Sequence, residues 1–461
     1  MSSSMPSGPA RARKLTTIVP ARNAGLPDRD EDRASATMFR NLLLYGLLFH
    51  LFAFQASGLF PDVSGSSAPV LSDAGNLFNQ LVLPAALLAA CLLVRQYRVP
   101  VRVLLAAIIP IAPLLLVIAL STAWSEFPEL TIRRASHELV EASTLALLAT
   151  CFSDPREVLA IFFRAFVIIG CLDLFSAAIF PETLTARGFA GIHSDKNIAG
   201  QFFFVALPVY LLGALYEPTS GKRLLGIFSL VSGVAMLVLT QSKTSVGASL
   251  AAFSSVLLTR GLFSRNPAVR VPLAFFCFLG VVGAIVAITN WDNEDLLEML
   301  VGDPTLTGRD QIWAYAVSKF DASPVVGAGY GAIWQIGPTI QVALRELGVM
   351  LVFNEAHNGY LDIAAQLGII GILGLSIFLI ITLFNVLFCW ITIEKSTFYG
   401  TGALTIYIFF GLLLSNITES LYFQTGIGSS SALIFLGAFA AGRKAVFTAN
   451  PPADSPRPYA A

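Results

Sequence analysis

The chain has 461 residues, of which 55% are hydrophobic and only 13% charged, about half the roughly 25% charge of a soluble globular domain. Its mean hydropathy is +0.73 and its formal net charge is zero, which excludes a soluble globular class and gives no electrostatic case for a nucleic-acid partner. The partner these numbers demand is a lipid bilayer, because many apolar runs approach the ~20 residues needed to span one.

Residues 1–38 are polar, rich in Ser, Pro and Arg, and lack a small-residue cleavage site after a short apolar core. They read as a disordered cytoplasmic tail rather than a signal peptide. Apolar segments follow at 39–60, 75–94, 101–123, 136–152, 157–180, 197–216, 223–240, 244–260, 271–289, 361–390, 401–416 and 426–442. They predict an all-α polytopic membrane protein with about twelve transmembrane helices. Nine lie within 39–289 and three within 361–442, separated by a long loop at 290–360 and followed by a tail at 443–461. The segment at 136–152 is short, and that at 361–390 is long enough to tilt. Cys91, Cys151, Cys171, Cys277 and Cys389 are widely spaced in apolar segments without a CxxC. They read as buried free thiols, with no disulfide and no metal.

Lysine and arginine bias sets the orientation, because cytoplasmic loops retain positive charge. With the N-terminus inside, the inner connections hold Arg95, Arg98, Arg102, Arg156, Lys222, Arg223, Arg260, Arg265, Arg270 and Lys395, and both tails are basic. Both termini are then cytoplasmic and the 290–360 loop is extracytoplasmic. Arg133, Arg134, Arg187, Lys196, Lys243, Arg309, Lys319 and Arg345 oppose the bias. Cations in short outer connections stay close to the membrane surface, where they suit an anionic group carried by a lipid, such as a pyrophosphate. The plainer reading is that some contact lipid headgroups or close helix ends.

The long loop carries the chemistry-bearing pattern. Residues 307–323 read as a short amphipathic helix with Ile312, Trp313, Ala316, Val317 and Phe320 on one face. Arg309 falls in its first turn, where backbone N–H groups and the helix dipole already favour an anion, and its planar fork matches phosphate oxygens. The run Gly327-Ala328-Gly329-Tyr330-Gly331 allows tight turns and close approach. It lacks the flanking strand and helix of a dinucleotide-binding turn, so it reads as a shaped loop. His357 lies between Glu355 and Asn358, just before the next apolar span. A neutral imidazole there can take a proton from a hydroxyl at ambient pH, although a lone histidine is more often a packing or capping residue.

The outer connection before residue 197 holds Arg187-Gly188-Phe189 and His193-Ser194-Asp195-Lys196-Asn197. Asn197 is expected to cap the next helix and leave its N-terminus open to an anion. Ser242-Lys243-Thr244-Ser245 offers another cation and several hydroxyls, and Glu419 and Tyr422 in the last outer turn are placed to line the same cavity. Arg164 and Asp173 sit nine residues apart on opposite faces of one helix, so each needs a partner elsewhere in the bundle or must snorkel.

These motifs, with Thr307-Gly308-Arg309-Asp310-Gln311-Ile312-Trp313 and His357-Asn358-Gly359-Tyr360-Leu361, resemble the O-antigen ligase and Wzy-type polysaccharide polymerase superfamily. Trp124-Ser125-Glu126-Phe127-Pro128 through Arg133-Arg134, together with Gly329 to Trp334, resembles most its ExoQ-like exopolysaccharide polymerase branch. The resemblance covers about residues 100–425. It implies a GT-C-like, metal-independent glycosyltransferase of the bacterial inner membrane, needing no cofactor. The donor would be a glycan on undecaprenyl pyrophosphate, met at the periplasmic face, with a glycan acceptor and other polysaccharide assembly and chain-length proteins as partners. The family's arginines match Arg187 and Arg309 and its histidine matches His357, while Ser194-Asp195-Lys196 departs from the common pattern.

In the resulting expectation, Arg187 and Arg309, helped by Lys196 and Lys243, clamp the pyrophosphate, and His357 deprotonates the acceptor hydroxyl. Asn197, Asn358, Glu355, Gly329, Tyr330 and Glu419 support the site. A ligase that moves glycan to lipid A-core or to protein would share the motifs. A transporter or flippase fits less well, since no paired half-helices or inverted repeat is apparent.

Overall fold

The computed structural model describes residues 30–54, 77–180, 183–185, 188–193, 195–217, 219–263, 309–334, 355–393, 399–423 and 428–450. Its helices are α1 (Asp30–Phe49), α2 (Leu77–Gln96), α3 (Val101–Ile108), α4 (Ala112–Leu120), α5 (Pro128–Thr150), α6 (Pro155–Ile179), α7 (Lys196–Tyr216), α8 (Ser220–Leu239) and α9 (Lys243–Leu262). After these come α10 (Arg309–Ala322), α11 (Gly359–Phe388), α12 (Tyr399–Ser415) and α13 (Gly428–Ala449). A two-residue antiparallel ladder joins β1 (Leu184–Thr185) to β2 (Gly188–Phe189).

Helices fall on every predicted apolar span except 271–289, which lies outside the described residues. Seven are long and apolar enough to cross a membrane, and eight if α3 and α4 form one bent span. The chain is therefore an all-α polytopic membrane protein, with seven or eight such spans among the described residues against the expected twelve or so. The single predicted span at 101–123 is broken by a bend of 63°. Pro110 lies in the break and Pro113 just after it, each without the N–H that a continuous helix requires.

Several helices start where local chemistry dictates rather than where hydropathy begins. α1 opens at Asp30, ahead of the expected 39. α5 opens at Pro128, with Glu129 in its first turn. Asp154 caps α6 by accepting from Arg156 N at 2.9 Å, and Pro155 occupies the first position, where a missing N–H costs nothing.

The interior is packed by aromatic edges. Phe52 meets Phe166 at 4.9 Å between centroids, and Phe166 meets Phe202 at 5.7 Å. The outer face of α8 exposes Leu224, Phe228, Val231 and Val238, as expected of a helix whose solvent is lipid. The free thiols divide between these two surroundings: Cys151 and Cys389 are buried, whereas Cys91 and Cys171 are exposed. The expectation of buried thiols thus fails for those two, which lie on the apolar exterior of the bundle; Cys277 is outside the described residues.

One feature organises the loop-bearing end of the bundle. α11 is broken at Gly368, where φ is 63° and ψ −161°, and the interruption leaves backbone groups without helical partners. The glycine-rich loop supplies them. Ala328 N donates to Ala365 O at 3.0 Å and Gly329 N to Gln366 O at 2.9 Å, while Ile369 N and Ile370 N donate to Pro324 O and Val325 O at 2.9 and 3.2 Å. The two backbones approach so closely that a Cβ on Gly368 would lie 2.3 Å from Val325 O, and one on Gly327 would lie 2.3 Å from Gln366 C. The turn before α5 locks the loop from the other side. Trp124 Nε1 donates to Val326 O at 3.0 Å, Ser121 Oγ accepts from Tyr330 N at 3.1 Å, and Arg134 donates to Gly331 O and, at 2.9 Å, to Trp334 O.

The seam predicts a contrast between two glycine-to-alanine changes. Gly368→Ala places a side chain at positive φ against a backbone oxygen and should lower thermal stability, by roughly 1–2 kcal/mol from conformation alone and more from the clash. Gly247→Ala, in α9 with nothing within 4 Å of the added carbon, should be neutral or stabilising by about 0.5–1 kcal/mol. Melting curves of the two purified variants in detergent test the difference.

Candidate active site

His357 occupies a left-handed backbone position, φ 50°, an uncommon state for a side-chain-bearing residue that surrounding structure must enforce. Three contacts enforce it. Asp362 holds the preceding peptide by accepting from Ala356 N at 3.1 Å, and the same carboxylate accepts from Trp334 Nε1 at 2.5 Å. Trp313 Nε1 donates to Ala356 O at 2.9 Å. After the histidine, Asn358 caps α11 by accepting from Tyr360 N and Leu361 N at 3.1 and 3.0 Å. Gly359 N then donates to Asn416 O and Glu419 O, in a contact that leaves no room for a Cβ beside Asn416 Oδ1.

The ring of His357 stands between two carboxylates. Nδ1 lies 2.9 Å from Glu355 Oε1 and 3.2 Å from Glu419 Oε2, with about a quarter of the side chain exposed. Burial alone would disfavour the imidazolium, but hydrogen bonds and charge from both glutamates outweigh it and raise the pKa from 6.5 to about 9. Burial also pushes the Glu355 carboxyl up, opposed by its contact with His357 and reinforced by the negative charges of Glu419 and Asp195. With Nδ1 committed to the carboxylates, Nε2 is the nitrogen left for a proton in transit.

Other loop-face elements converge here. The charge of Asp195 is felt at Glu355, so the start of α7 lies within electrostatic reach of that carboxylate. Thr244 Oγ1 meets Thr418 Oγ1 at 3.1 Å, joining the residue after Lys243 to the residue before Glu419. Arg309 begins α10, about one turn before the Trp313 that bonds Ala356. Lys196 and Lys243 are the first residues of α7 and α9. The side chain of Arg309 and the whole of Arg187 lie outside the described residues.

Several expected roles change. The cap of α7 is Asp195, whose carboxylate accepts from Asn197 N and Ile198 N at 2.7 and 3.1 Å; it fills the donors that Asn197 was expected to leave open to an anion. Arg134 Nη1 donates to the Gly331 and Trp334 carbonyls, so this cation helps to fix the loop. Gly329 and Tyr330 are both buried within the glycine-rich loop. Tyr330 is buried, and its hydroxyl donates to Phe423 O at 2.6 Å. Tyr422 is also buried, against Tyr360. His193 is buried against Asp173. Arg164 reaches the Tyr45 hydroxyl at 3.5 Å.

Sequence reasoning missed Asp195, Asp362 and Asn416 as positioning residues. Asp195 carried the strongest available signal, an acidic residue directly before an apolar span.

The trio has two chemical capabilities. It can hold a basic imidazole, or its donor atoms, all within 4.8 Å of one another, could hold a metal ion. These exclude each other, because a cation on Nδ1 would take the place of the ring proton that faces the carboxylates.

Comparison with known proteins gives two matches. Residues 228–377 match the O-antigen ligase family, Wzy_C, a stretch that takes in Arg309 and His357. The chain is also 27% identical over 296 residues to the exopolysaccharide production protein ExoQ of Rhizobium meliloti (strain 1021). That similarity covers 61% of this chain and 66% of the relative, so the chain spans just under two thirds of the relative's length. Both matches are likenesses, and both support the O-antigen ligase and Wzy-type family, in the neighbourhood of ExoQ, as what this chain resembles.

Proposed function

We propose that the protein is a membrane glycosyltransferase that polymerises polyprenyl-pyrophosphate-linked oligosaccharide repeat units into exopolysaccharide or O-antigen. In this reading the site faces the periplasm, the protein sits in the bacterial inner membrane, and both termini are cytoplasmic. The observation that carries it is His357, set between Glu355 and Glu419 next to the helix that begins at Arg309.

His357 Nε2 takes the proton from an acceptor sugar hydroxyl as the oxygen attacks the anomeric carbon. The bond from that carbon to the pyrophosphate oxygen breaks, with inversion, and the pyrophosphate leaves with the bonding electrons. Arg187 and Arg309, helped by Lys196 and Lys243, stabilise the charge that builds on the leaving group. Glu355 and Glu419 hold the ring with Nδ1–H inward and raise its basicity. The likeness to ExoQ, an exopolysaccharide production protein, supports polymerisation; the likeness to the O-antigen ligase family supports a second reading, transfer of glycan to lipid A-core or protein. A deletion strain separates them: single repeat units without long polymer support the polymerase, and free polymer with none attached supports the ligase.

Purified protein should extend a polyprenyl-pyrophosphate-linked glycan with chelator present. His357→Ala should lower kcat by about 10²–10⁴-fold, and Arg309→Ala by about 10²–10³-fold, both remaining folded. Activity lost to chelator and restored by a divalent ion would assign the Glu355–His357–Glu419 trio to a metal instead. Absence of transfer to any glycan, lipid or protein acceptor would remove the glycosyltransferase reading.

The pH profile gives a separate check. A base with a pKa of about 9 is neutral in about one molecule in a hundred at pH 7, so kcat/KM should rise with pH until about 9. Glu419→Gln removes one charge that favours the imidazolium, and should move that limb down towards the ordinary histidine value of ~6.5.

Stability should run the opposite way. A folded-state pKa raised above the unfolded value contributes stabilisation that is complete below ~6.5 and lost as pH rises through about 9. The melting temperature of the wild type should therefore fall over that window by more than that of His357→Ala.

A further inference from the structure

Asp173 lies six residues before the end of α6, which places it about 9 Å down the helix from its loop-face end. It is fully buried. An ionisable group at such a depth in a membrane bundle is expensive, and its presence calls for a specific partner. The connection between α6 and α7 dips to supply one. Asp173 Oδ1 accepts from Ile192 N at 3.0 Å, and Oδ2 lies 3.2 Å from His193 Nε2, whose ring rests on Phe202 with centroids 5.4 Å apart. Both side chains of the pair have no exposed surface. Gly191, at φ +62°, presses against the same carboxylate so closely that a Cβ there would lie 2.1 Å from Oδ1.

Two residues after His193 comes Asp195, which caps α7 and whose charge acts on Glu355, and then Lys196, which opens α7. Just before the anchor lies β2, where a Cβ on Gly188 would sit 3.2 Å from Lys196 Cδ and 2.2 Å from Thr240 O. The anchored segment is thus the piece of chain that sets Lys196 beside Gly188 and the α8–α9 turn, and Asp195 within electrostatic reach of Glu355.

We infer that Asp173 and His193 form a positioning pair that holds the α6–α7 connection in the register needed to bind the donor's pyrophosphate. The inference rests on the glycosyltransferase reading, since it assigns the connection to the donor. Hydrogen-bond chemistry makes the pair specific. The Asp173 carboxylate accepts from Ile192 N and holds the His193 proton on Nε2; an amide at that position forfeits the charge and, by turning an N–H group towards Nε2, drives that proton onto the buried, unpartnered Nδ1. A glutamine at 193 keeps an N–H for Asp173, whereas leucine keeps none.

The test is direct binding of radiolabelled geranylgeranyl pyrophosphate to full-length protein in nanodiscs, reading Kd and site number separately. Asp173→Asn and His193→Leu should each raise Kd about tenfold with site number unchanged, and His193→Gln should bind within about twofold of wild type. A merely structural anchor would lower the number of competent sites while leaving Kd alone, and that result overturns the pair as a positioning device. Unchanged binding in both weakened variants overturns it equally. If Asp173→Asn does not fold, the leucine and glutamine variants at 193 decide the matter by the same criteria. Failure of the wild type to bind is distinct from all of these: it removes the pyrophosphate-donor reading itself, and the inference with it.

Discussion

A helix cannot be interrupted inside a bilayer bundle unless other groups replace its missing hydrogen bonds. At Gly368 the chain meets that constraint by borrowing from segment 324–329, whose carbonyls and N–H groups take the place of the missing helical turn. Much of the loop face follows from this one seam. It fixes the glycine-rich loop, and Trp124, Ser121 and Arg134 clamp that loop from the α4–α5 side. The loop in turn presents Trp334 to Asp362, and Asp362 holds the peptide before His357. A break in a membrane helix and a histidine two residues before its start are thus parts of one hydrogen-bonded construction.

The chemistry of the site is likewise a matter of enforced position. His357 takes a backbone conformation that an isolated histidine rarely adopts, and its ring is turned so that one nitrogen faces two carboxylates. The two glutamates come from opposite sides of α11 and α12 in sequence, yet Gly359 N bonds the carbonyl of Glu419 itself. The distance between ring and carboxylate is therefore set by backbone contacts rather than by flexible side chains. Such rigidity is what a proton-transfer group needs, since misplacement by about 1 Å can cost two orders of magnitude in rate.

The helical architecture was legible because hydropathy over ~20 residues is a strong signal; the helix at Arg309 was legible too, although its buried face holds Ile312, Tyr315 and Ala316 while Val317 is exposed. Start points were less legible where Pro128 and Asp30 begin helices ahead of the apolar run. The break at Gly368 was hidden, because one glycine in a long apolar span looks like a tolerated packing residue until its partner loop is known. At the site, His357, Glu355 and Glu419 could be nominated from residue type and predicted side. Their convergence on one nitrogen could not, for it depends on contacts across about sixty residues of chain. Arg134 shows a contact that charge alone does not reveal: a cation against the charge rule turns one nitrogen to two loop carbonyls.

The central claim is a single direct displacement at the anomeric carbon, with His357 accepting the hydroxyl proton. Its most direct test is the configuration of the new glycosidic bond, read by NMR after one round of transfer from a donor of known anomeric configuration. A single displacement predicts inversion at that carbon. Retention would contradict the account, since it requires a glycosyl-enzyme intermediate or front-face attack in which His357 is not the base described here.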